Sequence, residues 1–257
     1  TGKGISIAII DTGIDPLHVG LNDMDDDPLT SDPKVVAFYD ALDDSGDNGD
    51  GTTEPYDDQG HGSHCAGISA GTGAVEEGPM SDGSKPYRGV APDAWLVGVK
   101  VLDSGGSGSF AEVMRGMEWT IDNQIDYNIR AASMSLGGVW LVELTQEEEE
   151  RITHLANEMV AAGISLMVAA GNSAAYGTIG TPGAAKDVIT VGATEDSKDL
   201  AVYSSKGPTH EGQIKPNVAA IGSAVMSVEA NSGNGYASYS GTSMATPMVA
   251  GMAVLLL

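Results

Sequence analysis

Ile5-Ser6-Ile7-Ala8-Ile9-Ile10-Asp11-Thr12-Gly13 is the stretch that decides the fold. Its first six residues are short, largely β-branched and apolar, the pattern of a strand covered on both faces in a parallel sheet. The run then ends abruptly in an acid, a hydroxyl and a glycine. Open α/β sheets collect their ligand and catalytic groups at the carboxyl ends of strands. Asp11 is therefore expected at a site, at the tip of a buried strand.

Outward from that strand, the same alternation continues. Lys34–Tyr39 is a second strand candidate, set inside an acidic insertion of about 22–58 that Gly and Pro punctuate. His61–Gly71 is rich in small residues and suits a helix packed closely on the sheet. Trp95–Leu102 is a strand, followed by a Ser/Gly run, 104–109, that reads as flexible. A helix is predicted from about Phe110 to Asp122, a strand over Ile129–Leu136, and a helix from Thr145 to about Ala162. Thr145 with Glu148 has capping-box spacing, and Gly163 stops that helix. Strands over Ile164–Ala169 and Val188–Gly192 precede a last apolar helix from Thr242. No 20–50-residue repeat interrupts the series. One α/β domain over 1–257 is predicted: three layers, a doubly wound, mostly parallel sheet, helices on both faces.

Composition narrows the function. The 257 residues are 41% hydrophobic, enough for a core, and the longest apolar run, Ala253–Leu257, is far too short to span a membrane. Twelve basic residues face 36 acidic ones, a formal charge of −24, which excludes nucleic acid as a partner. The excess is uneven: residues 1–58 hold 14 Asp and 1 Glu against 2 Lys. The lone Cys65 forbids an intrachain disulfide. The sequence leads straight into its first strand and does not itself open on a signal peptide; for an exported protein the targeting segment is expected upstream of it.

Four segments carry the chemistry: Asp11-Thr12-Gly13-Ile14-Asp15, His61-Gly62-Ser63-His64-Cys65-Ala66-Gly67, Ala169-Ala170-Gly171-Asn172 and Gly241-Thr242-Ser243-Met244-Ala245-Thr246-Pro247. Each falls at a strand end or helix start. Together they supply a carboxylate, an imidazole, a carboxamide and a hydroxyl. Acyl transfer through serine needs that set: a base for the hydroxyl proton, a carboxylate to orient the base, and donors for the oxyanion.

These motifs, in the order Asp, His, Ser, resemble those of the subtilisin-like serine proteases, the subtilases, and the resemblance runs from Gly4 to Leu257. Its flavour is that of archaeal and halophilic secreted members. It implies that Ser243 is the nucleophile, His61 the general base and acid, and Asp11 the group that orients His61. Asn172 and the Ser243 backbone N–H would form the oxyanion hole. Ser135-Leu136-Gly137 and Gly106-Ser107-Gly108 resemble the two strands that receive a substrate peptide between them. Ala169-Ala170-Gly171 would wall the first specificity pocket and Gly180 would lie at its floor. A bulky apolar or aromatic residue before the scissile bond is expected, because no carboxylate falls at the matched pocket positions. The resemblance also implies a secreted or cell-envelope monomer acting on peptides or proteins, with no catalytic cofactor and with an upstream inhibitory pro-segment.

Several departures and alternatives accompany that reading. Gly20 stands where many subtilisins carry a calcium-ligating Asp. The chain is short at both ends relative to the family, which leaves room for a catalytically silent peptide-binding fragment. A serine esterase of another fold is disfavoured, since that class uses a Gly-x-Ser-x-Gly elbow and a different order. The acidic loop carrying Asp43, Asp44, Asp47 and Asp50 fails the EF-hand template but suits an irregular structural calcium site. Its alternative is a solvated acidic surface for high salt. His61 and His64 have the spacing of a zinc pair without a third ligand, and Cys65 reads as a buried bystander rather than a nucleophile. His18, His154 and His210 read as ordinary.

Overall fold

A computed structural model describes residues 1–26, 29–43, 51–75, 85–137, 146–196 and 199–257. Seven parallel strands form one sheet in the order β2-β3-β1-β4-β5-β6-β7: β1 (Ser6–Asp11), β2 (Val35–Asp40), β3 (Trp95–Lys100), β4 (Ile129–Met134), β5 (Ser165–Ala169), β6 (Ile189–Thr194) and β7 (Val218–Ile221). Helices α1 (His61–Ala70), α2 (Phe110–Asp122), α3 (Gln146–Ala161) and α4 (Thr242–Leu256) cover it, and an antiparallel hairpin pairs β8 (Val225–Val228) with β9 (Tyr236–Tyr239).

The first strand shows why two cores form. Ala8 and Ile10 point into the cluster with Val113, Met117, Ile152 and Met159 of α2 and α3. Ile7 and Ile9 point into the cluster with Cys65, Ala66, Met244 and Ala250 of α1 and α4. All four are fully buried, as the two-residue period of a doubly covered strand requires. Strand order reverses at β1, whose neighbours are β3 and β4. The carboxyl ends of β1 and β4 therefore flank the crevice where such sheets place ligands.

Close packing of α1 depends on its glycines. A Cβ on Gly62 would lie 2.2 Å from the Gly13 carbonyl oxygen, and one on Gly67 would lie 2.3 Å from Ser227 Oγ. The residues that start α1 can thus approach the end of β1 as larger residues could not.

The predicted elements are present with boundaries shifted by a residue or two. Two readings need correction. The Ser/Gly run after β3 is an ordered turn: Asp103 Oδ1 accepts from the N–H groups of Gly105 (2.8 Å) and Ser107 (3.0 Å), and the backbone closes Asp103 N to Ser107 O at 2.8 Å. His18, read as ordinary for want of a partner pattern, has partners: it is fully buried against the β8–β9 hairpin, with Nε2 2.8 Å from the Gly235 carbonyl. Strands β7, β8 and β9 were not anticipated. Each is four residues long, and β7 is mostly exposed, so no buried apolar run marks it. The capping position Thr145 lies outside the described residues, whereas Ser109 and Glu112 form an unforeseen capping box on α2. Among the described residues no helix is long and apolar enough to cross a membrane.

Candidate active site

Asp11 ends β1 and His61 begins α1, and their side chains meet with Asp11 Oδ1 2.7 Å from His61 Nδ1. Asp11 is fully buried, and its Oδ1 also accepts from the Thr12 N–H at 2.8 Å. A carboxylate facing Nδ1 holds the proton there and leaves Nε2 as the open acceptor. The Asp11 charge raises the His61 pKa above its ordinary 6.5, against the opposing effect of burial.

The N-terminus of α1 has no side-chain cap of its own at Gly60. Asp57 supplies one from outside the helix. Its Oδ1 accepts from Gly60 N (2.7 Å), Gln59 N (3.1 Å) and Thr12 Oγ1 (3.0 Å), and its Oδ2 from Ser63 N (2.9 Å) and Ser63 Oγ (2.7 Å). Thr12 Oγ1 in turn accepts from Gly62 N at 2.9 Å. Hydrogen bonds to Ser63 and to backbone N–H groups hold the Asp57 pKa below the usual carboxylate value despite burial. Lys100, buried at the end of β3, donates to Thr12 O (2.6 Å), Leu102 O (2.8 Å) and Asp58 Oδ1 (2.7 Å), tying together the same loops.

Ser243 lies in the first turn of α4. Its hydroxyl donates to the Ser135 carbonyl at 3.1 Å. Its own carbonyl accepts from Ser135 Oγ at 2.8 Å and from Cys65 Sγ at 3.4 Å. Burial raises the Cys65 pKa, so the thiol stays protonated, in keeping with a bystander. Asn172 Oδ1 accepts from Thr242 N (2.9 Å) and Thr242 Oγ1 (3.1 Å). With its oxygen so engaged, the carboxamide turns its NH₂ away from that pair as a free donor. Thr242 Oγ1 also accepts from Gly171 N at 3.2 Å, which locks the loop after β5 to the start of α4.

Two cavities meet at these groups. The smaller, about 250 Å³, is lined by Ser135-Leu136-Gly137, Ala169-Ala170-Gly171, Gly180, Asn172 and Ser243. Ser173, Thr178 and Thr242 complete it and were not foreseen. The larger, about 470 Å³, has His61 at one end and is flanked by Gly105–Gly108 and by Ser135–Gly137. Its unforeseen lining includes Gln59, Leu102, Phe110, Val113 and Ile152. Periodicity gave no signal for these, since Leu102, Phe110, Val113 and Ile152 are apolar residues of the kind that fill a core and Gln59 is a polar loop residue. Among the described residues no Asp or Glu lines either cavity.

The calcium reading falls mostly outside the described residues: Asp44, Asp47 and Asp50 lie there, and only Asp43 is described. Among the described residues the carboxylates that gather are Asp23, Asp25 and Asp32, with oxygens within 4.8 Å of one another. At Gly20 a Cβ would sit 2.8 Å from the Tyr236 hydroxyl, so an acidic side chain there would have to displace that hydroxyl. His61 and His64 do not converge as a zinc pair. His64 Nε2 bonds the Ala237 carbonyl at 3.0 Å, and its ring stacks on Tyr239.

The model of the Subtilase family matches residues 2–257. The chain belongs to the subtilase family. It is 40% identical over 280 residues to the serine protease AprX and 34% identical over 261 residues to subtilisin E, both of Bacillus subtilis (strain 168). Those alignments cover all of this subtilase but only 58% and 56% of the two relatives, so it spans little more than half their length. The solved structure of sphericase superposes with a TM-score of 0.74 at 31% identity, over 99% of this chain and 77% of that one. The parallel sheet with helices on both faces is thus the subtilase fold.

Proposed function

We propose that this subtilase is a serine endopeptidase that cleaves peptide bonds through an acyl-enzyme. The single observation that carries the reading is the 2.7 Å Asp11–His61 contact, whose imidazole lines the larger cavity, which shares Ser135–Gly137 with the smaller cavity lined by Ser243 and Asn172. The Ser243 hydroxyl oxygen attacks the scissile carbonyl carbon, and its proton passes to His61 Nε2. The carbonyl π electrons move onto oxygen, where the Asn172 NH₂ and the Ser243 N–H stabilise the charge. Collapse expels the amine, which takes the proton from His61. Water then repeats the sequence on the ester and releases the acid.

A peptide would lie as an added strand between Gly106–Gly108 and Ser135–Gly137. Its residue before the cut enters the smaller cavity, where glycines and alanines leave room for a bulky apolar group and, among the described residues, no carboxylate attracts Lys or Arg. Leu102, Phe110, Val113 and Ile152 give the larger cavity an apolar floor for a residue further upstream. The secreted or cell-envelope location, the upstream pro-segment, the monomeric state and the halophilic flavour rest on the resemblance. Structural calcium and high-salt solvation both remain readings of the acidic insertion.

One observation favours a silent peptide-binding reading: the Ser243 hydroxyl points its proton at Ser135 O. Such bonds in unliganded sites commonly rearrange when substrate binds. The deciding experiment uses short chromogenic peptides ending in Phe or Arg, at roughly 0.1 and 2 M salt, with and without calcium. Cleavage after Phe that Ser243→Ala abolishes supports the protease. Folded protein that binds the peptide without cutting it overturns it in favour of the silent module.

A further inference from the structure

The carbonyl of Ser243 is deprived of its regular helix partner by the sequence itself. In an α-helix the carbonyl of residue 243 accepts from the N–H of residue 247. Residue 247 is proline, inside α4, and it has no N–H to give. The proline ring also crowds the carbonyl four residues before it, tilting that oxygen out of the helix. An orphaned acceptor beside a buried helix start needs a donor from elsewhere.

Two side chains meet it, from two different elements. Ser135, just past β4, donates its hydroxyl to Ser243 O at 2.8 Å. Cys65, on the helix that begins with His61, brings its thiol to 3.4 Å of the same oxygen. Ser135 is bound twice over, because its own carbonyl accepts the Ser243 hydroxyl at 3.1 Å. The pair is reciprocal: Ser135 holds the backbone of residue 243 with its side chain and the side chain of residue 243 with its backbone.

We propose that Ser135 is a positioning residue for the nucleophile, replacing the helix hydrogen bond that Pro247 removes, with Cys65 as a weaker second donor. The arrangement fixes the peptide plane that carries Ser243 against β4, the strand end nearest the crevice, and against the helix that presents His61. This role is separate from the contact Ser135 offers to a substrate backbone, and it rests on Ser243 being the nucleophile as proposed above.

The test is a double-substitution cycle of Ser135→Ala and Pro247→Ala, with Cys65→Ala as a further arm. Hydrolysis of the Phe peptide, labelling by a fluorophosphonate and thermal unfolding are read for each variant, and Ser243→Ala is the blank. Ser135→Ala is expected to lower kcat and the labelling rate about tenfold with little change in KM, the scale of one lost hydrogen bond to a buried acceptor. Pro247→Ala returns an N–H to position 247, so in the Ser135→Ala background it should restore most of that loss. Cys65→Ala should cost more in the Ser135→Ala background than alone. Strictly additive effects of the Ser135 and Pro247 substitutions, or a loss confined to KM, overturn the proposal. If Pro247→Ala does not fold, equal cost of Cys65→Ala in both backgrounds overturns it instead. Wild-type protein that neither labels nor cleaves counts against the protease reading; the Tm coupling between positions 135 and 247 then decides this one, its absence overturning it.

Discussion

The Thr12 hydroxyl donates to the Asp57 carboxylate at 3.0 Å while accepting from the Gly62 N–H at 2.9 Å, and so it joins the strand that ends in Asp11 to the helix that begins with His61. Asp11 and His61 are thus registered by a contact between their chain neighbours as well as by their own hydrogen bond. Asp57 lies 46 residues from Asp11 in sequence, yet its two oxygens collect five donors at this junction.

Asp57→Asn keeps the shape but turns an NH₂ toward N–H groups. The expected cost is about 1–3 kcal/mol of stability, for donors left without an acceptor, together with a fall in kcat. The native Asp57 pKa lies below the unfolded value, so its stabilisation is present above the ordinary carboxylate range and is lost as pH falls through the lowered native pKa. The variant should therefore show a flatter loss of stability at acid pH in urea titrations. Unchanged midpoints at neutral and acid pH would remove Asp57 from this role.

The proposed mechanism requires neutral His61, and Asp11 raises its pKa above 6.5. The acid limb of kcat/KM should accordingly lie on the alkaline side of 6.5. Asp11→Asn should move that limb toward acid and lower kcat by on the order of 10³–10⁴-fold, since the tautomer is no longer held. A limb that stays put in the variant would mean that another group sets it.

Asn172→Ala removes the side-chain donor that lines the cavity beside Ser243. The expected loss is about 10²–10³ in kcat with KM nearly unchanged, the magnitude such a donor carries in a subtilisin. Steady-state kinetics on the Phe peptide measure it. A rise in KM at constant kcat would reassign Asn172 to ground-state binding.

His64 is buried and its pKa is lowered to about 4, chiefly by desolvation. A histidine whose native pKa lies below its unfolded 6.5 binds a proton more readily when unfolded, so stability falls as pH drops from 6.5 toward 4. His64→Phe keeps a ring against Tyr239 and should flatten that slope, read from denaturant midpoints at several pH values. His18 contributes in the same direction, because burial lowers its pKa; its Nδ1 also accepts from Gly20 N at 3.0 Å, a bond that a second proton would break. An unchanged slope in His64→Phe would leave His18 and the carboxylates to account for it.

Local pattern carried much of the fold. β1 was legible because Ile7, Ile9 and Ile10 are apolar on both faces, and α2 because its apolar residues recur at helical spacing. β7 was not, because Val218, Ala219 and Ile221 are exposed and a four-residue edge strand is made by pairing with β6 rather than by its own composition. The turn after β3 misled because glycine and serine are mobile in isolation, while here one carboxylate, Asp103, collects their N–H groups.

The motifs by themselves determined the family, the doubly wound class and the identity of Asp11, His61, Asn172 and Ser243 as candidates, because residue type and local order are encoded along the chain. Only the tertiary structure decided which groups surround them. Asp57 capping α1, Ser135 standing in for the N–H that Pro247 lacks, and Tyr236 filling the space at Gly20 are all contacts between residues far apart in sequence. Their hydrogen-bond partners are selected by how the sheet brings strand ends and helix starts together, and no spacing along the chain records that meeting.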